Sequence, residues 1–161
     1  MNFIPVNEPL LSGNEKKYLC ECIDTGWISS EGPFVKEFEQ KMSATAGRRY
    51  GIAVSNGTAA LEVAAQALGI GAGDEVIMPT FTIISCAMAV TKLGAVPVLV
   101  DSDIHTWNMK ADEIEAKITP KTKAIMIVHL YGLPADVDAI LALAKKYDLS
   151  ISRIYKIIQA R

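Results

Sequence analysis

The residues VSNGTAAL, 54–61, carry the densest chemical signal in the chain. A β-rich run enters Asn56-Gly57, and a strongly helix-forming run begins at once. The first amides of a helix have no acceptor within it, so those of Gly57 and Thr58 face whatever sits above the turn. Free amides at the positive end of a helix suit a phosphate group. The Thr58 hydroxyl either caps the helix or touches that ligand. The lysine of a nucleotide-triphosphate loop is missing, which disfavours that class of ligand. A plain strand-to-helix turn with a capping Thr explains the same residues equally well.

Other chemistry-bearing residues are sparser. Asp101 and His129 fall at or near the ends of predicted strands, where ligands gather in open α/β sheets. His129-Leu130-Tyr131-Gly132 can set an imidazole and a phenol at a pocket rim; a hydrogen-bonded histidine at a strand end is the alternative. His105 shares a polar loop with Trp107 and reads as surface. Trp27 reads as a loop anchor packed on the core. The glycines of GIGAG, 69–73, follow a helix and precede a strand, the wrong order for a dinucleotide fingerprint, and read as a tight turn. Cys20 and Cys22 point away from each other on a helix and have no accompanying His or Cys pair, so no metal site is expected.

The elements that position these groups follow from pattern. Ser12 and Glu15 stand three apart as a capping box. A helix runs from there to about Asp24, with Gly26 ending it. GWISSEGP, 26–33, is a loop. A second helix spans about Phe34 to Thr45, with Phe34, Phe38 and Met42 on one stripe and Gly47 as its stop. Strands are then predicted at 50–55, 75–79, 96–101 and 122–130. Helices are predicted at 58–68, 82–94, 111–118 and from Pro134 to Asp148. This alternation, with several strands apolar throughout, implies an α/β fold: three layers, a mainly parallel sheet with helices on both faces. The chain divides into an N-terminal helical and loop segment, 1–49, an α/β domain, 50–148, and a tail, 149–161. In the tail Leu149-Ser150-Ile151 begins the next expected strand. SRIYKIIQAR then places Arg153, Lys156 and Arg161 where a buried strand is apolar, and reads as a short amphipathic helix.

Composition bounds the function. The 161 residues are half hydrophobic and about a fifth charged, with a net charge of -2. That suits one ordinary globular domain. No basic excess points to nucleic acid or to an anionic membrane. No apolar stretch is long enough to span a bilayer, and the N-terminus does not read as a secretory signal. Three cysteines form no disulfide framework, so a reducing cytoplasm is expected.

Taken together, seven stretches resemble one family, the DegT/DnrJ/EryC1/StrS sugar aminotransferases of fold type I. They are IPVNEP, GWISSEGP, FEQKMSATAG, VSNGTAAL, GDEVIMPTFT, GAVPVLVD and ITPKTKAIMIVHLYG, in the family's order. Within it the likeness is nearest to the perosamine-forming members. The resemblance implies the large domain of an enzyme using pyridoxal 5'-phosphate (PLP). That enzyme moves an amino group from glutamate to a nucleotide-linked 4-keto-6-deoxy sugar for polysaccharide biosynthesis, and works as a homodimer. It implies that Gly57 and Thr58 cradle the cofactor phosphate. Ile83 stands where many members stack an aromatic ring on the cofactor; here an aliphatic side chain packs on that face. The loop of Trp27 to Gly32 lines the active-site mouth, with Trp27, Ser29 and Ser30 toward cofactor or sugar.

One departure limits the expectation. The family continues past this point with an Asp that pairs with the pyridinium nitrogen, and farther on with the Lys that carries the cofactor. Here no Asp follows Asp148, and Lys156 is the only Lys after it. No catalytic residue is therefore assigned. The chain is expected to be a partial domain, inactive alone, that at most binds phosphate weakly or pairs with an intact subunit. A free-standing flavodoxin-like phosphate-binding module is a third reading.

Overall fold

The computed structural model describes residues 3–5 and 8–149, and the tail from 150 onward lies outside the described residues. The chain forms two compact units, residues 1–53 and 54–161.

In the first unit, α1 spans Glu15–Asp24 and α2 spans Pro33–Thr45. Pro33 opens α2 because a proline needs no acceptor in a first turn. The Tyr18 and Phe34 rings meet at 5.1 Å. Neither helix buries a residue completely; Phe38 and Met42 of the expected stripe stay 55% and 39% exposed. The capping box does not form. Asn14, not Ser12, precedes α1, and the Glu15 carboxylate turns back to accept from the Gly13 amide at 2.9 Å. Gly26 and Gly47 follow the two helices at φ +75° and +60°, the left-handed exits expected of them.

The second unit is built on a parallel sheet. Its strands are β1 (Glu75–Pro79), β2 (Val96–Val100) and β3 (Thr122–Ile125), in the order β2-β1-β3. Helices α3 (Gly57–Ala67), α4 (Ile84–Thr91), α5 (Ala111–Ile114) and α6 (Val137–Lys146) cover it. The chain moves from β1 to β2 in one direction and from β2 to β3 in the other. Right-handed crossovers therefore place the intervening helices on opposite faces. Period-two alternation along β1 sorts the core accordingly. Ile77 packs with Val100, Ile125, Ile114 and Ile140 on the α5 and α6 side. Val76 and Met78 pack with Ala65, Cys86, Val90 and Met126 on the α3 and α4 side. Each buried Val, Ile or Met side chain among these contributes about 1.5–3 kcal/mol by leaving water. The predicted three-layer α/β architecture is what forms.

Gly94, after α4, sits at φ +77°, a conformation that favours glycine, and a Cβ there would also crowd Ala72 Cβ at 3.3 Å.

Several boundaries differ from the sequence reading, among them the helix expected over 111–118, which is α-helical only over Ala111–Ile114 before a 3-10 turn over Glu115–Lys117. Residues 50–55 form no strand; Ile52 is 77% exposed, and Ala53 donates to the Glu39 carboxylate at 2.8 Å instead of joining a ladder. An extended run becomes a strand only beside another, and none of the described strands pairs with it. The third strand stops at Ile125 although Met126 and Ile127 remain buried. Met126 still donates to Ile77 O at 2.7 Å, but the next donor due from β1 is Pro79, which has no N–H. The fourth helix begins at Ile84 rather than residue 82. The sixth begins at Val137 rather than Pro134, because the Asp136 side chain caps it by accepting from Ala139.

Candidate functional site

The N-terminus of α3 is assembled by Asn56. Its backbone is extended, its side-chain oxygen accepts from the Ala59 amide at 2.9 Å, and its carbonyl accepts from Ala60 at 3.0 Å. Asn56 is thus the cap, and Thr58 is not. The Gly57 and Thr58 amides keep no partner among the described residues. They sit at the positive end of an eleven-residue helix. Gly57 has an ordinary backbone conformation, and a Cβ there would meet nothing within 4 Å. Neither strain nor packing within the chain calls for glycine at this position.

The Thr58 hydroxyl is tied to the Ser85 hydroxyl at 2.8 Å. Ser85 lies in the first turn of α4, so this bond joins the starts of two helices on the same face of the sheet. Ile83 is the residue just before α4 and is 67% exposed, two positions from Ser85. Gly57, Thr58 and Ile83 therefore belong to one pair of linked helix starts. Trp27, Ser29 and Ser30 lie in the first unit, on the loop between α1 and α2. Trp27 is 49% exposed rather than packed away as an anchor. The Ser29 hydroxyl accepts from the Glu31 amide at 3.4 Å, and Ser30 is exposed.

Asp101 follows β2 and is exposed, with its carbonyl accepting from the Lys110 amide at 3.0 Å. His129 is half-buried, and its Nδ1 accepts from the Ala135 amide at 3.1 Å. That bond places the ring proton on Nε2 and makes His129 the hydrogen-bonded histidine of the plainer reading. His105 is on the surface, as expected.

Two residues were missed from sequence. One is Ser85. The other is Asn108, 95% buried, since its relative exposure is 5%. Its Nδ2 donates to Leu133 O at 3.1 Å and Pro134 O at 3.3 Å, and its Oδ1 accepts from the Leu130 amide at 3.1 Å. One amide thereby latches the loop after β2 to the loop after β3. A cleft of about 500 Å³ beside α5 and α6 is lined by Asp103, Asp112, Glu115 and Asp136. Most of these carboxylates are already engaged. Asp103 accepts from Thr106 and His105, which holds its carboxyl below the usual range. Glu115 is likewise held low by hydrogen bonds from Lys146 and Tyr147, and Asp136 caps α6. Their arrangement is structural.

GDP-perosamine synthase of Escherichia coli O157:H7 is 51% identical over 151 residues, covering 94% of this chain and 42% of that protein. The Caulobacter vibrioides protein of the same name is 52% identical over 148 residues, covering 92% and 40%. The chain thus spans about two fifths of the length of these relatives. Among solved structures, 3-amino-5-hydroxybenzoic acid synthase superposes with a TM-score of 0.81 at 40% identity, covering 88% of this chain and 37% of that one. NtdA from Bacillus subtilis, with bound cofactor PMP, superposes at 0.78 and 40% identity, covering 83% and 31%. The profile of one family matches residues 9–153, nearly the whole length, and the chain belongs to that family, the DegT/DnrJ/EryC1/StrS aminotransferases.

Proposed function

We propose that this chain is the cofactor-cradling part of a PLP-dependent aminotransferase. Its reaction moves an amino group from glutamate to a nucleotide-linked 4-keto-6-deoxy sugar of the perosamine type. The observation that carries the reading is the pair of amides at Gly57 and Thr58 that have no partner among the described residues, with open space where a Gly57 Cβ would stand. A phosphate dianion fits that donor set, because two N–H groups and a helix dipole favour it together. When bound, the cofactor supplies an electron sink for moving the amino group. The chain's own residues bind and orient it. Gly57 and Thr58 donate to the phosphate, and Ser85 fixes the Thr58 hydroxyl. Ile83, exposed at the start of α4, packs against the ring face and keeps water from it. Trp27, Ser29 and Ser30 are read as contacts for sugar or cofactor. A homodimer is the proposed assembly and the cytoplasm the proposed compartment. Three free cysteines, and the absence among the described residues of any helix long and apolar enough to cross a membrane, support the latter.

The alternative reading is that these 161 residues bind phosphate without turnover. Amide NMR with added PLP, beside a coupled glutamate-to-2-oxoglutarate assay with a GDP-4-keto-6-deoxy sugar, separates the two. Saturable shifts at Gly57 and Thr58 support the cradle, and their absence sinks both readings. Turnover that vanishes in Lys156→Ala makes this chain an enzyme by itself; shifts without turnover make it a binding part only.

A further inference from the structure

Three aromatic side chains converge from the loops that follow the three strands. Phe81 follows β1, Trp107 follows β2 and Tyr131 follows β3. Phe81 meets Trp107 edge-on, with centroids 5.4 Å apart and planes at 84°; Trp107 meets Tyr131 at 6.3 Å and 64°. All three leave the carboxyl edge of the sheet, where ligands gather in folds of this kind. They are not core. Both buried clusters are made without aromatic residues, and the three rings are 44%, 49% and 86% exposed. Edge-on packing uses only part of each ring and leaves flat faces open to solvent.

The backbone beneath them is held in an unfavourable form. Trp107 sits at φ +62° and Tyr131 at φ +49°, left-handed conformations that bulky residues rarely adopt. Trp107 is kept there by its amide bond to Asp103 O at 2.7 Å. The buried Asn108, next in sequence, ties its loop to Leu130, Leu133 and Pro134 around Tyr131. Strain maintained by surrounding bonds is a marker of ligand contact. The nearby Asp103 carboxylate is engaged by the His105 and Thr106 amides, so what the three rings themselves offer is flat aromatic surface.

We propose that Phe81, Trp107 and Tyr131 form a stacking site for the base of a nucleoside diphosphate. This rests on the nucleotide-sugar reading above and deepens it, because the base is the flat, aromatic part of such a substrate. Stacking on protein aromatic rings is a general way of holding a base.

The test is equilibrium dialysis of the chain with GDP and with inorganic pyrophosphate, which lacks the base. GDP binds at least about tenfold tighter than pyrophosphate and quenches tryptophan emission saturably. Trp107→Gly and Tyr131→Asn remove the rings while keeping residues that accept a positive φ, so the loops survive. Each weakens GDP about tenfold, the loss of roughly one stacked contact, and leaves pyrophosphate unchanged. Equal affinity for GDP and pyrophosphate, absence of GDP binding, or GDP affinity unmoved in both variants overturns the proposal. A gain of monomer in sedimentation of the variants with GDP binding unchanged also overturns it, assigning the rings to a protein contact. The PLP titration at Gly57 and Thr58 is scored separately. Loss of that signal with GDP stacking intact refutes the cofactor reading and not this one.

Discussion

Replacing Gly57 by Ala separates function from fold at the helix start. The added methyl group would meet no atom within 4 Å, and the backbone at this position is one that any residue adopts. Ala loses less chain entropy than Gly on folding, so the variant should gain about 0.4–1 kcal/mol in stability. For a unit of this size that is a rise in Tm of about 2–4 °C. Ligand binding moves the other way. The methyl group occupies the space through which an anion reaches the Gly57 and Thr58 amides. Losing one hydrogen bond to a charged group costs about 1.5–3 kcal/mol, or roughly 10–150-fold in Kd. Thermal melts by circular dichroism and amide NMR titration with PLP measure both effects on the same sample. A fall in Tm of several degrees would falsify the claim that Gly57 has no packing role. An unchanged Kd would show that the anion, if bound at all, sits elsewhere.

Gly51→Ala should behave oppositely, because its Cβ would lie 2.6 Å from the backbone oxygen of Glu39. Overpacking against backbone costs about 1–3 kcal/mol, and urea unfolding followed by far-UV dichroism should show the lower midpoint. Asn108→Ala removes three hydrogen bonds and strands the Leu130 amide and the Leu133 and Pro134 carbonyls. A loss of about 2–4 kcal/mol is expected, and a change below about 0.5 kcal/mol would mean the two loops are held by something else. Asp103 gives a pH test. Hydrogen bonds from Thr106 and then His105 hold its folded pKa below the ordinary value. Its contribution to loop order is therefore complete above the ordinary carboxylate range, about pH 4, and is lost as pH falls through the lowered pKa. The His105 and Thr106 amide resonances should titrate only in that acid window, and Asp103→Asn should abolish the step. A midpoint at or above the ordinary range contradicts the assignment.

What could be read from sequence divides by how far apart the interacting residues lie. The Gly57–Thr58 helix start was legible because everything that frees those amides sits within four positions, from Asn56 to Ala60. The exits at Gly26, Gly47 and Gly94 were legible for the same reason: each requires only a residue that tolerates a positive φ. Strand 75–79 showed itself as an apolar run because the sheet buries it on both faces. Residues 50–55 carry the same β-rich composition and form no strand, since composition specifies a preference and a strand exists only beside a neighbour. The shortening of β3 is of this kind too, because its cause, Pro79, lies on another strand. Ser85 and Asn108 were invisible because their partners stand 27 and 22–26 residues away. The aromatic triad needs three loops to be placed before its rings can meet. A helix start with free amides could thus be found locally, whereas the bonds that hold it in place required the fold. A substitution at Ser85 or Asn108 should accordingly disturb ligand geometry without touching any residue that a sequence motif would mark.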